Sequence, residues 1–320
     1  MIPSPENTLP WMCIVNPNAG LKKAQRDWPV IESLLKKHQI AYQHRFTIER
    51  MHAVTLTRDA LTAGFRKFLV VGGDGTLNEV LNGIMMQDII PTADCTLAMI
   101  PVGSGNDWCR THAIPFSYPD AVRIVAGGHI FIHDVARVNY RHHDTDQTRY
   151  LINMAGMGYD AMVASRTNDM KDKGKGGAFL YIYNLLTSLF KYRYANARVM
   201  IDEREHEFKL FSMNVGICMY NGAGMKQLPD AVPDDGLLDI TVIRKISRLA
   251  VIRHTPRLYD GSFIKLPQVL TFRGKKVLVT ASPAISLEAD GESLGHSPFV
   301  FDIVPQAVKI ITGRTDYQSN

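Results

Sequence analysis

The apolar run Phe68-Leu69-Val70-Val71 ends in Gly72-Gly73-Asp74-Gly75-Thr76-Leu77-Asn78-Glu79, after which apolar side chains recur at Val80, Leu81 and Ile84. This pattern predicts a buried strand, a glycine turn and a helix start. Glycines at 72, 73 and 75 admit backbone angles closed to other residues and let a ligand approach the main chain. The helix N-terminus behind them directs unpaired N–H groups at an anion, a combination that suits a nucleotide polyphosphate. Any buried strand can end in a glycine turn for structural reasons alone. Asp74, Thr76 and Asn78 argue for more, because a structural turn does not need three polar groups facing one crevice. The stretch is neither a G-x-G-x-x-G with a distant acidic partner nor a P-loop with its Gly-Lys-Ser/Thr.

Two further loops follow the same pattern. Met12-Cys13-Ile14-Val15 runs into Asn16-Pro17-Asn18-Ala19-Gly20, and Leu97-Ala98-Met99-Ile100 runs into Pro101-Val102-Gly103-Ser104-Gly105-Asn106-Asp107. In an open parallel sheet, ligands bind outside the carboxyl ends of the strands, so three such loops are expected to converge on one site. Up to about Val125, strands alternate with helical patterns near 24–38 and 51–63, which implies a parallel sheet covered on both faces. Beyond Gly127-Gly128 the period changes to two, at Ala136, Val138 and Tyr140, at Ala197, Val199 and Ile201, at Leu238, Ile240 and Val242, and at Ile285, Leu287 and Ala289. That pattern predicts an antiparallel sandwich, interrupted by helices near 175–192 and 247–260, the second with Ser247 as N-cap.

The 320 residues, 46% of them hydrophobic, suffice for two domains with substantial cores. A formal charge of +5 permits attraction to nucleotides or anionic membranes but is too small and dispersed to argue for nucleic acid. Cys13, Cys95, Cys109 and Cys218 have no paired or metal-ligand spacing, which fits a reducing, cytoplasmic setting. No signal peptide is legible near Pro3, Pro5 and Pro10, and the apolar stretch 178–190 is shorter than the ~20 residues that span a bilayer. The expectation is a protein at most peripheral to the membrane, and a homodimer is compatible with the sequence.

Asn-Pro-x-Ala-Gly, Gly-Gly-Asp-Gly-Thr-x-Asn-Glu and Pro-x-Gly-Ser-x-Asn-Asp together resemble the catalytic domain of the diacylglycerol kinase and sphingosine kinase superfamily. The later blocks Pro229-Asp230-Ala231-Val232-Pro233-Asp234-Asp235-Gly236 and Leu287-Glu288-Ala289-Asp290-Gly291-Glu292 are similar to its second domain, especially in soluble bacterial lipid kinases. The Gly-Gly-Asp-Gly-Thr block is shared with NAD kinases, and the later blocks point to the lipid branch. The resemblance implies an α/β nucleotide domain over 1–130, completed by a returning strand within 305–320, and a β-sandwich lipid-substrate domain over 131–304. It implies ATP contacts at Asn16, Pro17, Asn18, Ala19, Gly20, Thr47, Gly73, Asp74, Gly75, Thr76, Leu77, Asn78, Glu79 and Ser104. Leu21 stands where some relatives carry lysine.

Phosphoryl transfer asks the protein for positioning, neutralised charge and a proton acceptor near the attacking hydroxyl. With no P-loop lysine, backbone N–H groups, Mg²⁺ and cations such as Arg110, Lys22 or Lys23 are left to carry the charge. The resemblance gives the acceptor role to Glu292 or Asp290, with Asp74 organising Mg²⁺ or water, and a structural Mg²⁺ to Asp235 with the main-chain carbonyls of Val232 and Leu237. Read alone, Asp230, Asp234 and Asp235 also suit a solvated turn. His142, His143, Asp144 and Asp146 read as an exposed polar loop, and Lys171, Lys173 and Lys175 as a basic loop open to a phosphate- or membrane-facing role. The reading that follows is an ATP-dependent lipid kinase acting on a lipid at the membrane surface. Its alternatives are a kinase for a soluble acceptor such as NAD and a catalytically silent nucleotide-binding regulator.

Overall fold

The structure, a computed structural model, describes residues 10–143, 145–172, 178–314 and 317. It divides into two compact units, one holding the chain through His133 together with the stretch from Gln306, the other holding Asp134–Pro305. The first unit runs β1 (Trp11–Val15), α1 (Ala19–Lys37), β2 (Tyr42–Phe46), α2 (His52–Thr62), β3 (Lys67–Gly72), α3 (Asp74–Met85), β4 (Thr96–Pro101), α4 (Asp107–Thr111) and α5 (Tyr118–Gly127).

Its strands pair in parallel, with β3 between β1 and β4 and with β2 at the edge beside β1. Beyond Lys67 and Thr96 at their starts, β1, β3 and β4 are apolar and buried because helices cover both faces of a parallel sheet. β2 alternates instead, and Tyr42, His44 and Phe46 gather around Trp28 of α1. The register sets Val15 beside Val71 and Val71 beside Ile100, so the three loops leave the sheet from one row. On the other side of β4, Lys309 and Ile310 pair in parallel with Thr96 and Leu97. The chain end is then anchored as Thr312 and Gly313 donate backbone bonds to His129 and His112, and the Tyr317 hydroxyl meets the buried His112 ring.

The second unit begins with β5 (Ile130–His142), β6 (Thr145–Leu151), β7 (Met154–Gly158), α6 (Tyr159–Asp172), α7 (Ala178–Lys191), β8 (Ala195–Ile201) and β9 (Arg204–Gly216). It continues with β10 (Leu238–Arg244), α8 (Arg248–His254), α9 (Arg257–Asp260), β11 (Val269–Gly274), β12 (Lys276–Ser282), β13 (Ser286–Ala289) and β14 (Glu292–Ile311). Antiparallel pairing runs β11-β10-β9-β7-β13-β14, while β8 joins the other half of β9 and β12 joins β8 to β14. The long strands β9 and β14 thus each serve two sets of partners, the geometry of the expected sandwich. Period-two patterning is clean in β8, where burial alternates residue by residue.

Two helical features depart from expectation. The sequence shows no element over Tyr159–Asp172, because Tyr159, Ala161 and Val163 alternate as in a strand and the remainder is polar; α6 forms there. The single helix expected over 247–260 is two, since Pro256 lacks an N–H to continue α8 and the chain restarts as α9. Ser247 does cap α8, its hydroxyl accepting from Ala250 N at 3.2 Å. Among the described residues no helix is long and apolar enough to cross a membrane.

α2 and α3 meet at Gly83, where an added Cβ would stand 2.6 Å from Thr57 Cβ and 2.9 Å from Val54 O. Neither atom can retreat, one being set by a helix backbone and the other belonging to it. Gly83→Ala is therefore expected to lower unfolding free energy by ~1–3 kcal/mol, the usual cost of overpacking. Urea denaturation checks this, and a more stable variant would show that the helices separate at no cost.

Candidate functional site

On the first unit, three side-chain and glycine contacts knit the loops together. Asn16 Nδ2 donates to Thr76 Oγ1 at 2.9 Å, while Asn16 Oδ1 accepts from Asn18 N at 3.0 Å. The Asp74 carboxylate accepts from the main-chain N–H groups of Asp107 and Trp108, both at 3.2 Å. Gly73 and Gly103 touch back to back, so that a Cβ on Gly103 would fall 2.6 Å from Gly73 Cα.

This last contact corrects the expected role of the glycine turn. Gly73 has φ −118° and ψ −174°, an extended conformation open to any residue, and Gly72 and Gly75 are not among the positive-φ residues. Gly73 is needed because Gly103 approaches it, and Gly72 because a Cβ there would meet Thr76 Oγ1 at 2.8 Å. Left-handed backbone falls instead on Gly20, Leu21 and Lys22, at φ 61°, 58° and 68°, and on Asn106 at φ 52°. Strain of this kind in non-glycine residues persists only where surrounding structure fixes it, and it gathers at ligand sites. Gly20 has a second constraint, since a Cβ would lie 2.4 Å from Val102 O.

The first bond of α3 runs from Leu77 N to Gly73 O, which leaves the N–H groups of the preceding turn without partners inside the helix. Oriented N–H groups, two asparagine amides and the Thr76 hydroxyl make an environment for an anion. Other expected contacts lie elsewhere. Leu77 and Asn78 are buried in α3, and the Glu79 carboxylate accepts from Ala53 N at 3.1 Å at the start of α2. Thr47 is buried beside the sheet, its N–H donating to Val15 O, and Ser104 is exposed at a loop tip. Arg110 pairs with Asp107 at 3.4 Å and lies over the Phe116 ring, and Lys23 lies over Tyr118. Burial raises the Asp74 carboxyl above the ordinary range despite the backbone N–H groups that favour its charged form.

On the second unit, β13 and β14 are joined by Asp290-Gly291, with φ 47° and 88° at the two loop positions and Ala289 opposite Glu292. Positive φ at both residues of a two-residue hairpin loop is the geometry that Asp-Gly favours. The three acidic residues around this turn have different surroundings. Asp290 is buried and accepts from Ile152 N, Asn153 N and Met154 N at 2.9, 3.2 and 3.0 Å. Glu292 is partly exposed, and among the described residues its carboxylate has no hydrogen-bond or ion-pair partner. Glu288 is buried, accepting from Gly291 N and from Asn221 Nδ2, and burial pushes its carboxyl up to about 8.

Glu288 belongs to a polar group that the sequence reading missed. A Cβ on Gly156 would stand 3.1 Å from Glu288 Oε2, 3.1 Å from Asp160 Cβ and 3.2 Å from Asn214 Oδ1, so these groups converge on one glycine. Asp160, partly buried and with its carboxyl raised by desolvation, accepts from Asn214 Nδ2 at 3.1 Å. Asp160, Asn214 and Gln227 line a cavity of about 60 Å³ together with His254, Thr255 and apolar side chains such as Val163, Phe211, Ile246, Val251 and Phe263. Among the described residues Asn214 Oδ1 and Gln227 Oε1 are buried acceptors with no hydrogen-bond donor.

In the acidic turn, Asp235 accepts from Leu237 N at 3.1 Å and pairs with Arg273, which also binds Asp239 at 3.0 Å. Burial pushes the Asp239 carboxyl up to about 6, and Asp235 and Asp230 add to the rise. Asp234 is likewise raised, by burial and by Asp235. His142, His143 and Asp146 are exposed as expected. Asp144, Lys173 and Lys175 lie outside the described residues.

Residues 10–138 match the family described as diacylglycerol kinase catalytic domain, and residues 153–312 match the YegS C-terminal NAD kinase beta sandwich-like domain. A diacylglycerol kinase of Staphylococcus epidermidis is 28% identical over 304 residues, covering 94% of this chain and 91% of that protein. One of Mycobacterium tuberculosis is 29% identical over 257 residues, covering 80% and 79%. A solved structure of a diacylglycerol kinase from Bacillus anthracis superposes with a TM-score of 0.70 at 20% identity, covering 95% of this chain and 97% of that one. Yeast NADH kinase in complex with NADH reaches 0.52 at 9% identity, covering 97% and 85%, a likeness of fold.

Glu288 makes stability depend on pH in a defined direction. Its pKa rises from an ordinary 4.5 to about 8, so between those values the folded chain keeps a proton that the unfolded chain has released. Stability then falls as pH rises through that window and levels off above it. Glu288→Gln is expected to flatten this part of a plot of unfolding free energy against pH. Parallel wild-type and variant profiles would show that Glu288 is ionised in the folded chain.

Proposed function

Because the chain belongs to the diacylglycerol kinase family, with the catalytic and β-sandwich domains both present and in order, we propose that it is an ATP-dependent lipid kinase phosphorylating a hydroxyl of a diacylglycerol-like lipid. The observation that carries the lipid acceptor is the cavity of the second unit. Apolar walls ending in the unpaired acceptors Asn214 Oδ1 and Gln227 Oε1 suit a ligand with a hydrocarbon body and a hydrogen-donating head. A water-soluble acceptor such as NAD gains nothing from such walls.

The first unit fits ATP, which supplies the γ-phosphoryl group and brings Mg²⁺ to spread its charge. Main-chain N–H groups at the start of α3, with Asn16 and Thr76, would orient the phosphates. Asp74 holds the third loop against the second through Asp107 N and Trp108 N, so its removal disturbs the cradle itself. Glu292 is the better proton acceptor of the expected pair, because the Asp290 carboxylate is occupied by three main-chain N–H groups while that of Glu292 is open. A Mg²⁺ at the acidic turn is in keeping with its chemistry, since hard cations take oxygen ligands and Asp230 and Asp234 add negative charge to a turn where Arg273 pairs only with Asp235 and Asp239. Asp235 with the carbonyls of Val232 and Leu237 would hold it and brace the turn.

Incubation with labelled ATP and mixed micelles should label diacylglycerol or a related lipid and leave NAD unlabelled; the reverse would remove the lipid reading. Glu292→Gln is expected to keep wild-type stability and to lose ~10²-fold or more in kcat, the scale for a general base. Asp290→Asn should instead lower unfolding free energy by ~1–3 kcal/mol, because an amide turned toward main-chain donors leaves one unpaired. Full activity in the Glu292 variant would move the proton acceptor elsewhere.

The ion at the acidic turn has its own measurement. Added Mg²⁺ should raise the melting temperature of the wild type and not of Asp235→Ala, since a ligand bound only to the native state stabilises it by mass action. Equal shifts would leave Arg273 as the sole counter-ion of the turn.

A further inference from the structure

We propose that the exposed face of α8, continued by the end of α7, is a docking surface for an anionic lipid bilayer, a proposal that rests on the lipid-kinase reading for its purpose but not for its test. Leu249 is 80% exposed and Ile252, one helical turn on, is 43% exposed. On α7, Tyr183, Leu186 and Phe190 are exposed at a spacing that places them along one side of the helix. Arg248 joins the two sets, its guanidinium lying over the Phe190 ring and donating to Phe190 O at 3.2 Å. Large apolar side chains left in water on two adjoining helices mark an interaction surface.

Charge identifies the occupant. From Arg244 to Tyr259 the chain carries Arg244, Lys245, Arg248, Arg253 and Arg257 and no acidic residue, and Lys191 and Arg193 follow Phe190. Among the described residues none of these is in an ion pair. Apolar residues accompanied by cations, of which only Arg257 has an acidic neighbour in Asp260, match the interface of a membrane bearing anionic lipids, where leucine and phenylalanine enter the acyl boundary and arginines meet phosphates.

The opposite face of α8 supplies a reason for this placement. Val251 and Thr255 line the cavity, while Leu249 and Ile252 point to solvent. One helix therefore separates the cavity from the proposed bilayer contact. A lipid that never leaves the membrane would enter past α8 or by its displacement.

Flotation of the full chain with vesicles tests this directly. The wild type should float with phosphatidylcholine vesicles containing phosphatidylglycerol, much less with phosphatidylcholine alone, and less again in high salt. Leu249→Glu/Ile252→Glu should reduce partitioning by ~tenfold or more through lost apolar contact and added repulsion. Its melting temperature and its turnover of a short-chain, water-soluble diacylglycerol should match wild type, because neither residue lines the cavity. Flotation equal to wild type, or equal wild-type binding to neutral vesicles, would overturn the proposal. So would a wild-type dimer that the variant splits without change in flotation, which would make the face a contact between two copies. A wild type that floats through Leu249 yet phosphorylates no lipid would keep the docking surface and remove the kinase reading.

Discussion

Main-chain N–H groups that turn away from any carbonyl must find another acceptor, and twice in this chain the acceptor is an aspartate that sequence alone would assign to catalysis. Asp74 receives the first N–H groups of α4, and Asp290 receives three successive N–H groups at Ile152–Met154. Each carboxylate gathers backbone from segments far apart in sequence. The loops of the nucleotide cradle on one unit, and the hairpin that presents Glu292 on the other, owe their shapes to these contacts.

The legible part of the sequence was the part in which neighbouring residues settle the structure among themselves. Apolar runs ending at Val15, Val71 and Ile100 announced buried parallel strands, and Asp290-Gly291 announced a tight turn because the turn's backbone angles are a local property. Glu288 was not legible. Its place between Leu287 and Ala289 puts it on the polar side of an alternating strand, yet β13 lies between β7 and β14 and is covered on both faces. Asp160 was hidden for a similar reason, since what makes it notable is Gly156, Asn214 and Glu288 arriving from three other segments. Gly73 does not use the backbone angles closed to other residues, and the neighbour that crowds it is Gly103 from another loop.

The second unit concentrates acidic groups where water is scarce. Glu288 and Asp160 are both pushed toward the neutral form by burial and converge with Asn214 on Gly156, while Asp160, Asn214 and Gln227 line the cavity. Keeping a carboxylic proton avoids the larger cost of an isolated buried charge. At Glu288 it also leaves a hydrogen-bond donor among the acceptors around Gly156.

The final strand has a consequence for how the chain is made. Lys309 and Ile310 occupy the place beside β4, although β4 is synthesised some two hundred residues earlier. During elongation the first four strands and their helices emerge and begin to pack while one margin of their sheet still shows unpaired N–H and C=O groups. Such an open margin is a template for pairing with other chains. The interval ends only when the stretch from Gln306 has left the ribosome. Placing so distant a segment at that margin makes the unit that is translated first wait for the whole of the second, and exposes the nascent chain to aggregation throughout that delay.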